Sequence, residues 1–545
     1  MEGICKTILD LTRSKLVDST REEELTEILT ARDPVRLVTT RSLFPRPPLA
    51  LVAFEVPRLK EKLWTGGRWL DPRSLSRCLD LFLHGQQDDC IPGLLSALGL
   101  DGSSSIRASP DGGLLLVGAD SSAEVMARLV QGFRRTTGGL DLQVAAEPIW
   151  PDEALLGRSP DLVRPPRFGA LLDSLRQQLS RSRQRVPGDS FPTLPGFLQR
   201  CQACDQALAS ERDEELGQLI CPGCQTRRAT GRAQSEPGGE LPDEAIDMSD
   251  AGGHGRSDRT DHVAVIVASL SGVDPLVVEL GGLDQVSLTH GAMDRVLVGA
   301  TQALVERLGL RRRYQLHRTG VGQMTVVLPA GRSLDAVRRL VEGVEALLTQ
   351  EAEALGGYPE IQEGLRQMRL RVGMVILRPH HPPRVAVGLA ESLAGSARRL
   401  AMSAVGGPDP VSTIDFWVIH DGAPVSTCVD ELRHQIHESR RDFRLTLRPY
   451  RYPDFRREIL DCFRVFRRIP RSQVHELRQV LLADLRAADL NLRYRVASSE
   501  DWRSYATEFA GKDPSRWENL LFRTAGDGVR ETSFFDLIEL TEFLD

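Results

Sequence analysis

Residues 262–270, HVAVIVASL, form a continuous apolar run that follows a stretch poor in large apolar side chains. A run of this length that is rich in Val and Ile is typical of a β-strand buried on both faces of a sheet. A helical pattern follows at residues 288–309, and the sequence RYQLHRTGVGQMTVVLPA at residues 313–330 is typical of a β-hairpin. Strand, helix and hairpin in this order predict the first half of an α/β unit.

The pattern continues through a second helix to buried strands at residues 370–379 and 412–420. The same order of elements is found earlier in the chain. It starts with the strand LALVAF at residues 49–54, continues with the hairpin SIRASPDGGLLLVGAD at 105–120, and ends with the strand LDLQVAAEP at 140–148. The sequence therefore predicts two units of βαββαβ character.

The chain has 545 residues, more than a single hydrophobic core usually serves, so several domains are expected. The predicted class is α+β multidomain. The predicted segments are a helical N-terminal segment (1–45), a first α/β domain (46–165), a helical spacer with a cysteine module (166–228), a disordered linker (229–260), a second α/β domain (261–427) and an Arg-rich helical C-terminal domain (428–545).

The cysteine module contains two Cys-x-x-Cys pairs, Cys201/Cys204 and Cys221/Cys224, separated by 16 residues. This spacing is typical of a closed, structural Zn²⁺ site with four thiolate ligands. The alternative is a redox-active dithiol, which two pairs at this spacing disfavour. We predict structural zinc bound by these four residues.

The N-terminus lacks the apolar stretch of a secretory signal, and no run of about 18 apolar residues occurs in the sequence. We expect a cytoplasmic protein that does not enter membranes. The formal net charge is −6, yet residues 431–480 contain 13 arginines and seven acidic residues. This local excess of positive charge predicts that the segment contacts phosphate groups.

The order of these elements resembles the large subunit of type III CRISPR effector complexes. Seven stretches carry the resemblance: VAVIVASLSG (263–272), HRTGVGQMTVVLP (317–329), LRVGMVILRPHHPP (370–383), AESLAGSARRLA (390–401), IDFWVI (414–419), LRPYRYPDF (447–455) and IPRSQ (469–473). The resemblance implies that both α/β units are ferredoxin-like palm domains, with a zinc ribbon between them.

Members of that family that make cyclic oligoadenylates from ATP hold two metal ions between an Asp after the first palm strand and a Gly-Gly-Asp-Asp hairpin. Matched to these motifs, the first position falls on Ser269 or Ser271, and the two hairpin acids fall on Gly322 and Gln323. Two adjacent divalent cations need anionic oxygen ligands, so we expect no catalytic Mg²⁺ and no catalytic residue here. A shifted register that uses Asp274 would restore only one of the acids.

Gly320 and Gly322 remain as candidates for nucleotide binding, or simply for a tight turn. The family's N-terminal nuclease is not expected either, because the one His-Asp dipeptide, His420-Asp421, lacks further His and Asp residues on neighbouring helices.

The resemblance thus implies a noncatalytic scaffold in antiviral defence that binds other CRISPR effector subunits and guide or target RNA. Two alternatives stay open, an active cyclase that makes cyclic oligoadenylates and a stand-alone nucleotide-sensing module. The arginines could equally form a solvated helix face paired to acids. The candidate RNA contacts are Arg448, Arg451, Arg456, Arg457, Arg464, Arg467, Arg468 and Arg471.

Overall fold

The computed structural model describes most of the chain. The described residues are 2–65, 70–157, 168–185, 199–205, 207–214, 216–233, 262–309, 314–379, 381–403, 410–419, 427–437, 443–510, 521–524 and 530–541. The predicted α+β class with several sheets and many helices is confirmed.

The N-terminal part of the chain contains three α-helices. Its helices are α1 (Glu2–Thr12), α2 (Glu22–Ala31) and α3 (Pro34–Thr39). Arg32 and Arg41 attach this segment to the rest of the protein: Arg32 Nη1 donates to Asp284 at 2.5 Å, and Arg41 Nη2 to Asp152 at 2.7 Å.

The first α/β unit contains a four-stranded sheet in the order β2-β3-β1-β4, with antiparallel neighbours throughout. Its strands alternate with helices in the predicted βαββαβ order. Its elements are β1 (Leu49–Glu55), α4 (Leu59–Trp64), α5 (Leu70–His84), α6 (Ile91–Ala97), β2 (Ser105–Ser109), β3 (Gly112–Gly118), α7 (Ser122–Thr136) and β4 (Gln143–Ile149), followed by α8 (Pro151–Leu156).

A helix and a small cysteine module lead to the second unit. The elements are α9 (Phe168–Arg185), β5 (Glu211–Asp213), β6 (Gln218–Ile220) and α10 (Pro222–Ala233). Residues 229–233 therefore continue a helix rather than beginning the predicted disordered linker, and residues 234–260 lie outside the described part of the chain.

Four strands of the second unit lie side by side in the order β8-β9-β7-β10, which corresponds to β2-β3-β1-β4 of the first unit. The second sheet is extended beyond β10 at one edge. β11 pairs parallel to β10, and the short β13 pairs with β11. Its elements are β7 (Val263–Leu270), α11 (Val273–Glu279), α12 (Leu283–Leu308), β8 (Gln315–Gly320), β9 (Gln323–Pro329), α13 (Ser333–Ala354), α14 (Pro359–Gln367), β10 (Leu370–Leu377), α15 (Pro383–Ser403) and β11 (Thr413–Val418).

The described part of the C-terminal region is mainly helical, and it also contributes β13 and a small three-stranded sheet, β12-β15-β14. Residues 456–461 form a π-helical turn between α17 and α18. Its elements are α16 (Val429–His437), β12 (Phe443–Arg444), β13 (Tyr450–Arg451), α17 (Tyr452–Phe455), α18 (Cys462–Phe466), α19 (Arg471–Ala483), α20 (Leu485–Ser498), α21 (Glu500–Ala510), β14 (Arg523–Thr524), β15 (Arg530–Glu531) and α22 (Phe534–Thr541).

The two units share one hydrophobic core. A single cluster of buried side chains includes Val52 and Phe82 from the first unit and Val265 and Val375 from the second. Gly373 on β10 allows α15 to approach closely, because a Cβ at this position would lie 2.0 Å from the Ala390 carbonyl oxygen. The shared core fixes the orientation of the two units and so shapes the cleft between them.

Candidate functional site between the two units

A cavity of about 950 Å³ lies between the hairpin of the first unit and the sheet of the second. Asp111 and Gly112 line it from the first hairpin, and Thr319 and Gly320 from the second. α9 provides part of another wall through Leu175 and Leu179. The resemblance placed the family's metal ligands at Ser269 or Ser271, Gly322 and Gln323. Of these residues, Ser269, Ser271 and Gln323 line the cleft, and Gly322 does not.

Three of the lining residues form a row across the second sheet. Ser269 on β7 is directly opposite Gln323 on β9 and Arg371 on β10. Residues directly opposite each other on neighbouring strands point to the same face, with Cβ atoms about 5 Å apart. The row therefore places a guanidinium group next to the position at which the family has its first metal-binding carboxylate.

The other candidate for that first position, Ser271, is occupied by a different contact. Its hydroxyl donates to the Arg369 carbonyl oxygen at 3.0 Å and accepts from the Arg369 backbone N–H at 3.1 Å. Asp274, which a shifted register would use, falls within α11, and its side chain is outside the described part of the structure.

The second hairpin has the tight turn expected from its glycines. Gly322 has a φ of 69°, a left-handed conformation that favours glycine. Gly320 lies next to the first hairpin, since a Cβ on Gly320 would be 3.0 Å from Asp111 Oδ2. The glycines thus serve the turn and the close approach of the two hairpins, and their predicted contact with a nucleotide stays a prediction.

The two walls of the cleft differ in charge. The acidic lining residues, Glu55, Glu61 and Asp111, all belong to the first unit, which also contributes the basic residues Arg58, Lys60 and Arg107. Among the described lining residues of the second unit, the charged ones are Arg371 and Arg398. Burial, together with the nearby Arg369 and Arg398, lowers the pKa of Arg371 to about 10. The second wall therefore has a positive charge where two divalent cations would need negative charge.

The cysteine quartet forms a compact cluster. Each of Cys201, Cys204, Cys221 and Cys224 places its sulfur within 4.8 Å of the others. The Sγ atoms of Cys204 and Cys221 are 3.9 Å apart, a separation that fits two thiolates on one tetrahedral ion with metal–sulfur bonds of about 2.3 Å. Backbone N–H groups of Cys221 and Cys224 donate to cluster sulfurs at 3.3 and 3.4 Å. The quartet could hold a metal ion, and it is the one such group found within the described residues.

The cysteine module is attached to the first unit through α10. Arg228 is 1% exposed and donates to Asp71 on α5 at 2.7 Å and to Asp213 on β5 at 2.8 Å. Arg227 donates to Cys224 Sγ at 2.8 Å and to the Thr137 carbonyl oxygen at 3.1 Å. A metal ion in the quartet would therefore also stabilise the first unit.

Nearly the whole chain is similar to solved structures of Csm1, and the values below compare this chain with each of them. The crystal structure of Csm1 in T. onnurineus has a TM-score of 0.52 at 11% sequence identity, covering 95% of this chain and 73% of that one. The Csm1–Csm4 cassettes in complex with cA4 and with pppApApA each have a TM-score of 0.51, at 11% and 12% identity, and each covers 96% of this chain and 73% of the other.

The chain has the fold of Csm1. Csm1 is the large subunit of type III CRISPR complexes, so the predicted resemblance is confirmed at the level of the fold. No protein-family model matches the sequence, and no curated protein matches it either. Because sequence identity to Csm1 is only 11–12%, the similarity shows the fold and does not show the activity or the ligands.

Arg448, predicted to contact RNA, lies in the core of this Csm1-like fold. Its side chain has no exposed area, its Nε lies 2.8 Å from Asp536 Oδ1, and its Nη2 lies 3.0 Å from Glu539 Oε2. Its Nη1 donates to the Phe416 carbonyl oxygen at 3.1 Å. The predicted RNA contact does not agree with this burial, because a side chain enclosed by two carboxylates and a sheet cannot reach a phosphate.

The other seven candidate arginines are at least partly exposed. Arg457 forms ion pairs with Asp454 and Glu458 at 3.0 and 2.9 Å, and Arg456 lies 4.0 Å from Glu342. Arg464, Arg467 and Arg468 are exposed at spacings that put them on one side of the chain around the end of α18. Arg451 is half-buried, and Arg471 is exposed at the start of α19.

The sequence analysis did not identify the charged residues that lie in the cleft and in the core. Arg371 interrupts the otherwise apolar strand LRVGMVIL, and Asp536 and Glu539 interrupt the apolar helix FFDLIELT. A charged side chain within an apolar run is a usable signal, because burial of a charge requires a partner. The same signal applies to His290, which lines the cleft from α12.

No helix in the described residues is both long and apolar enough to cross a membrane. The cytoplasmic location stays a prediction, as does the division into six segments. His420 and Asp421 lie outside the described residues.

Proposed function

We propose that this chain is a noncatalytic large-subunit scaffold in a type III CRISPR-like effector complex. The two βαββαβ units act as palm domains, the second of which has lost its metal site. The observation that carries the proposal is the row of Arg371, Ser269 and Gln323 on the second sheet. Two Mg²⁺ ions about 4 Å apart require bridging carboxylates, and this row provides a hydroxyl, an amide and a positive charge instead.

Structural Zn²⁺ in the cysteine quartet is part of the proposal. Four thiolates fill a tetrahedral shell, so the ion would have no open position for water or substrate. The metal would supply folding free energy to the ribbon, and through Arg228 it would hold the first palm domain. This is a scaffold role and not a catalytic one.

The proposed partners are another effector subunit and guide or target RNA. The solved Csm1–Csm4 cassettes suggest a subunit of the Csm4 kind as the first partner to test. The proposed RNA contacts are the exposed arginines, chiefly Arg464, Arg467 and Arg468, since Arg448 is buried. Phosphate contacts of this kind fix position and do not select sequence.

The catalytic question is tested by incubating the purified chain with its partner subunits, ATP, Mg²⁺ or Mn²⁺ and target RNA. The scaffold proposal expects no cyclic oligoadenylate above background, and synthesis that depends on the metal would overturn it in favour of the cyclase alternative. RNA binding is tested by extracting RNA from affinity-purified complexes. A chain with Arg464, Arg467 and Arg468 changed to Glu should retain much less RNA than one with Arg399 changed to Glu.

A further inference from the structure

The cleft between the two units has features of a ligand site that the metal argument does not explain. Two of its lining side chains are more than nine-tenths buried and have a polar atom without a hydrogen-bond partner: Nδ1 of His290, which is 6% exposed, and Nε of Arg371, which is 8% exposed. A buried polar atom without a partner is unfavourable, so such atoms in a cavity indicate a missing partner.

The charges of the lining indicate the sign of that partner. Six basic residues and three acidic ones line the cavity, although the chain as a whole has a formal charge of −6. The basic residues are Arg58, Lys60, Arg107, Arg176, Arg371 and Arg398.

Several of these basic residues already have a carboxylate partner. Arg107 pairs with Asp111 at 3.1 Å, Lys60 with Glu391 at 2.7 Å, and Arg176 with Asp173 at 3.6 Å. Arg371 donates only to the Val411 carbonyl oxygen, at 2.7 Å, and neither it nor Arg398 has a carboxylate partner among the described residues. Arg371 and Arg398 thus bring unneutralised positive charge to the second wall, with Arg371 directly opposite Ser269.

We propose that the cleft binds a chain of phosphate groups without a divalent metal, and that Arg371 and Arg398 provide the positive charge that metal ions would otherwise supply. Guanidinium groups match phosphate geometry and keep their charge. The cavity of about 950 Å³ is too large for a single phosphate, and basic groups on both walls suit an extended anion with several charges. This inference rests on the proposed loss of the metal site and names the ligand class of that same cleft.

The test is calorimetric titration of the full-length chain with inorganic tripolyphosphate in EDTA at low ionic strength. Two neighbouring arginines on α15 make a matched pair, since Arg398 lines the cleft and Arg399 is exposed and pairs with Asp430 at 2.8 Å. We expect the wild type to bind, R398Q to bind at least about tenfold more weakly, and R399Q to bind within about twofold of the wild type.

R371Q removes the buried guanidinium and R371K keeps a charge there, so both are first checked for an unchanged thermal unfolding temperature. If R371Q does not fold, the exposed R398Q still decides the question. ATP and a linear triadenylate are titrated in parallel. Tighter binding of ATP than of tripolyphosphate points to a nucleoside triphosphate, and tighter binding of triadenylate points to an oligonucleotide backbone.

Absence of binding in EDTA would overturn the inference, as would binding that appears only with Mg²⁺ or equal loss in R398Q and R399Q. These results differ from failure of the scaffold proposal, which is detected by cyclic product in the activity assay. A chain that makes no product and binds no tripolyphosphate would still be a scaffold.

Discussion

The two βαββαβ units have the same strand order and face the same cleft, yet they differ in charge and in what stabilises them. In the first unit the three acidic lining residues are balanced by Arg58, Lys60 and Arg107, whereas the charged lining residues described in the second unit are Arg371 and Arg398. The first is held by a cysteine module through Arg228, and the second by the C-terminal region through Arg448. A shared topology therefore does not imply shared chemistry.

The difference also bears on the proposed loss of the metal site. The hairpin turn of the first unit keeps an acid, Asp111, which is neutralised by Arg107 at 3.1 Å. The corresponding turn of the second unit has Gly320, Val321 and Gly322. The hairpin turn of the second unit is therefore present, and it contains no acidic residue.

The largest effect is expected when the metal ion is removed from the cysteine module, which is attached to the first unit through Arg228. We expect Cys221→Ser, or prolonged chelation, to unfold the cysteine module, because structural zinc sites contribute about 10–16 kcal/mol of apparent binding free energy. Hydrogen exchange should then increase in α10 and in α5, which Arg228 connects, while β7 and β10 keep their protection. Cys428→Ser is the control. Equal loss of protection in both units would contradict the separate anchoring.

The next largest effect is expected when the side chain of Arg448, which connects the C-terminal region to the second unit, is replaced. Arg448→Met removes the guanidinium group that pairs directly with the buried Asp536 and Glu539, and breaking a buried pair in this way costs about 3–5 kcal/mol. Denaturant unfolding should show this loss. Arg399→Met, which removes an ion pair that is more than half exposed, should cost less than about 1 kcal/mol. A similar cost for both would show that Arg448 does not anchor the unit.

A smaller effect is the pH dependence of the unfolding free energy through Glu539, which pairs with Arg448. Burial raises the pKa of Glu539 to about 7 from an ordinary value of 4.5, with Asp536 adding to the rise and Arg448 and Arg478 opposing it. The folded state binds this proton more tightly, so its contribution to stability is complete below about pH 4.5 and is lost as the pH rises through about 7.

The wild type should therefore lose up to about 3 kcal/mol of unfolding free energy through this group between pH 5 and 8. Glu539→Gln cannot titrate and should show a flatter profile over the same range, measured by denaturant unfolding at each pH. Identical slopes in the wild type and the variant would rule out Glu539 as the titrating group.

Local patterns in the sequence predicted the strands and the quartet well. The run at 262–270 corresponds to β7 at Val263–Leu270, and the two Cys-x-x-Cys pairs do come together. These features depend on periodicity and spacing, which are local. The resemblance also predicted the fold, since the order of elements is preserved where identity to Csm1 is only 11–12%.

Features that depend on contacts between distant segments were not predictable in this way. Arg448 looks like one more member of a basic segment, and only its pairing with α22, nearly 90 residues later, shows that it is buried. Arg371 becomes part of the cleft because β7, β9 and β10 align in one register. Composition alone gives neither result, because both depend on which elements, distant in the sequence, lie side by side in the fold.

The most direct test of the proposed loss of the metal site is Mn²⁺ binding measured by electron paramagnetic resonance on the zinc-loaded full-length chain. Because the residues directly opposite Ser269 on the neighbouring strands are Arg371 and Gln323, the account predicts no tightly bound Mn²⁺ in the wild type. Ser269→Asp combined with Gln323→Asp would place two carboxylates directly opposite each other and serves as the comparison. Two coupled Mn²⁺ ions bound per wild-type chain would contradict the account.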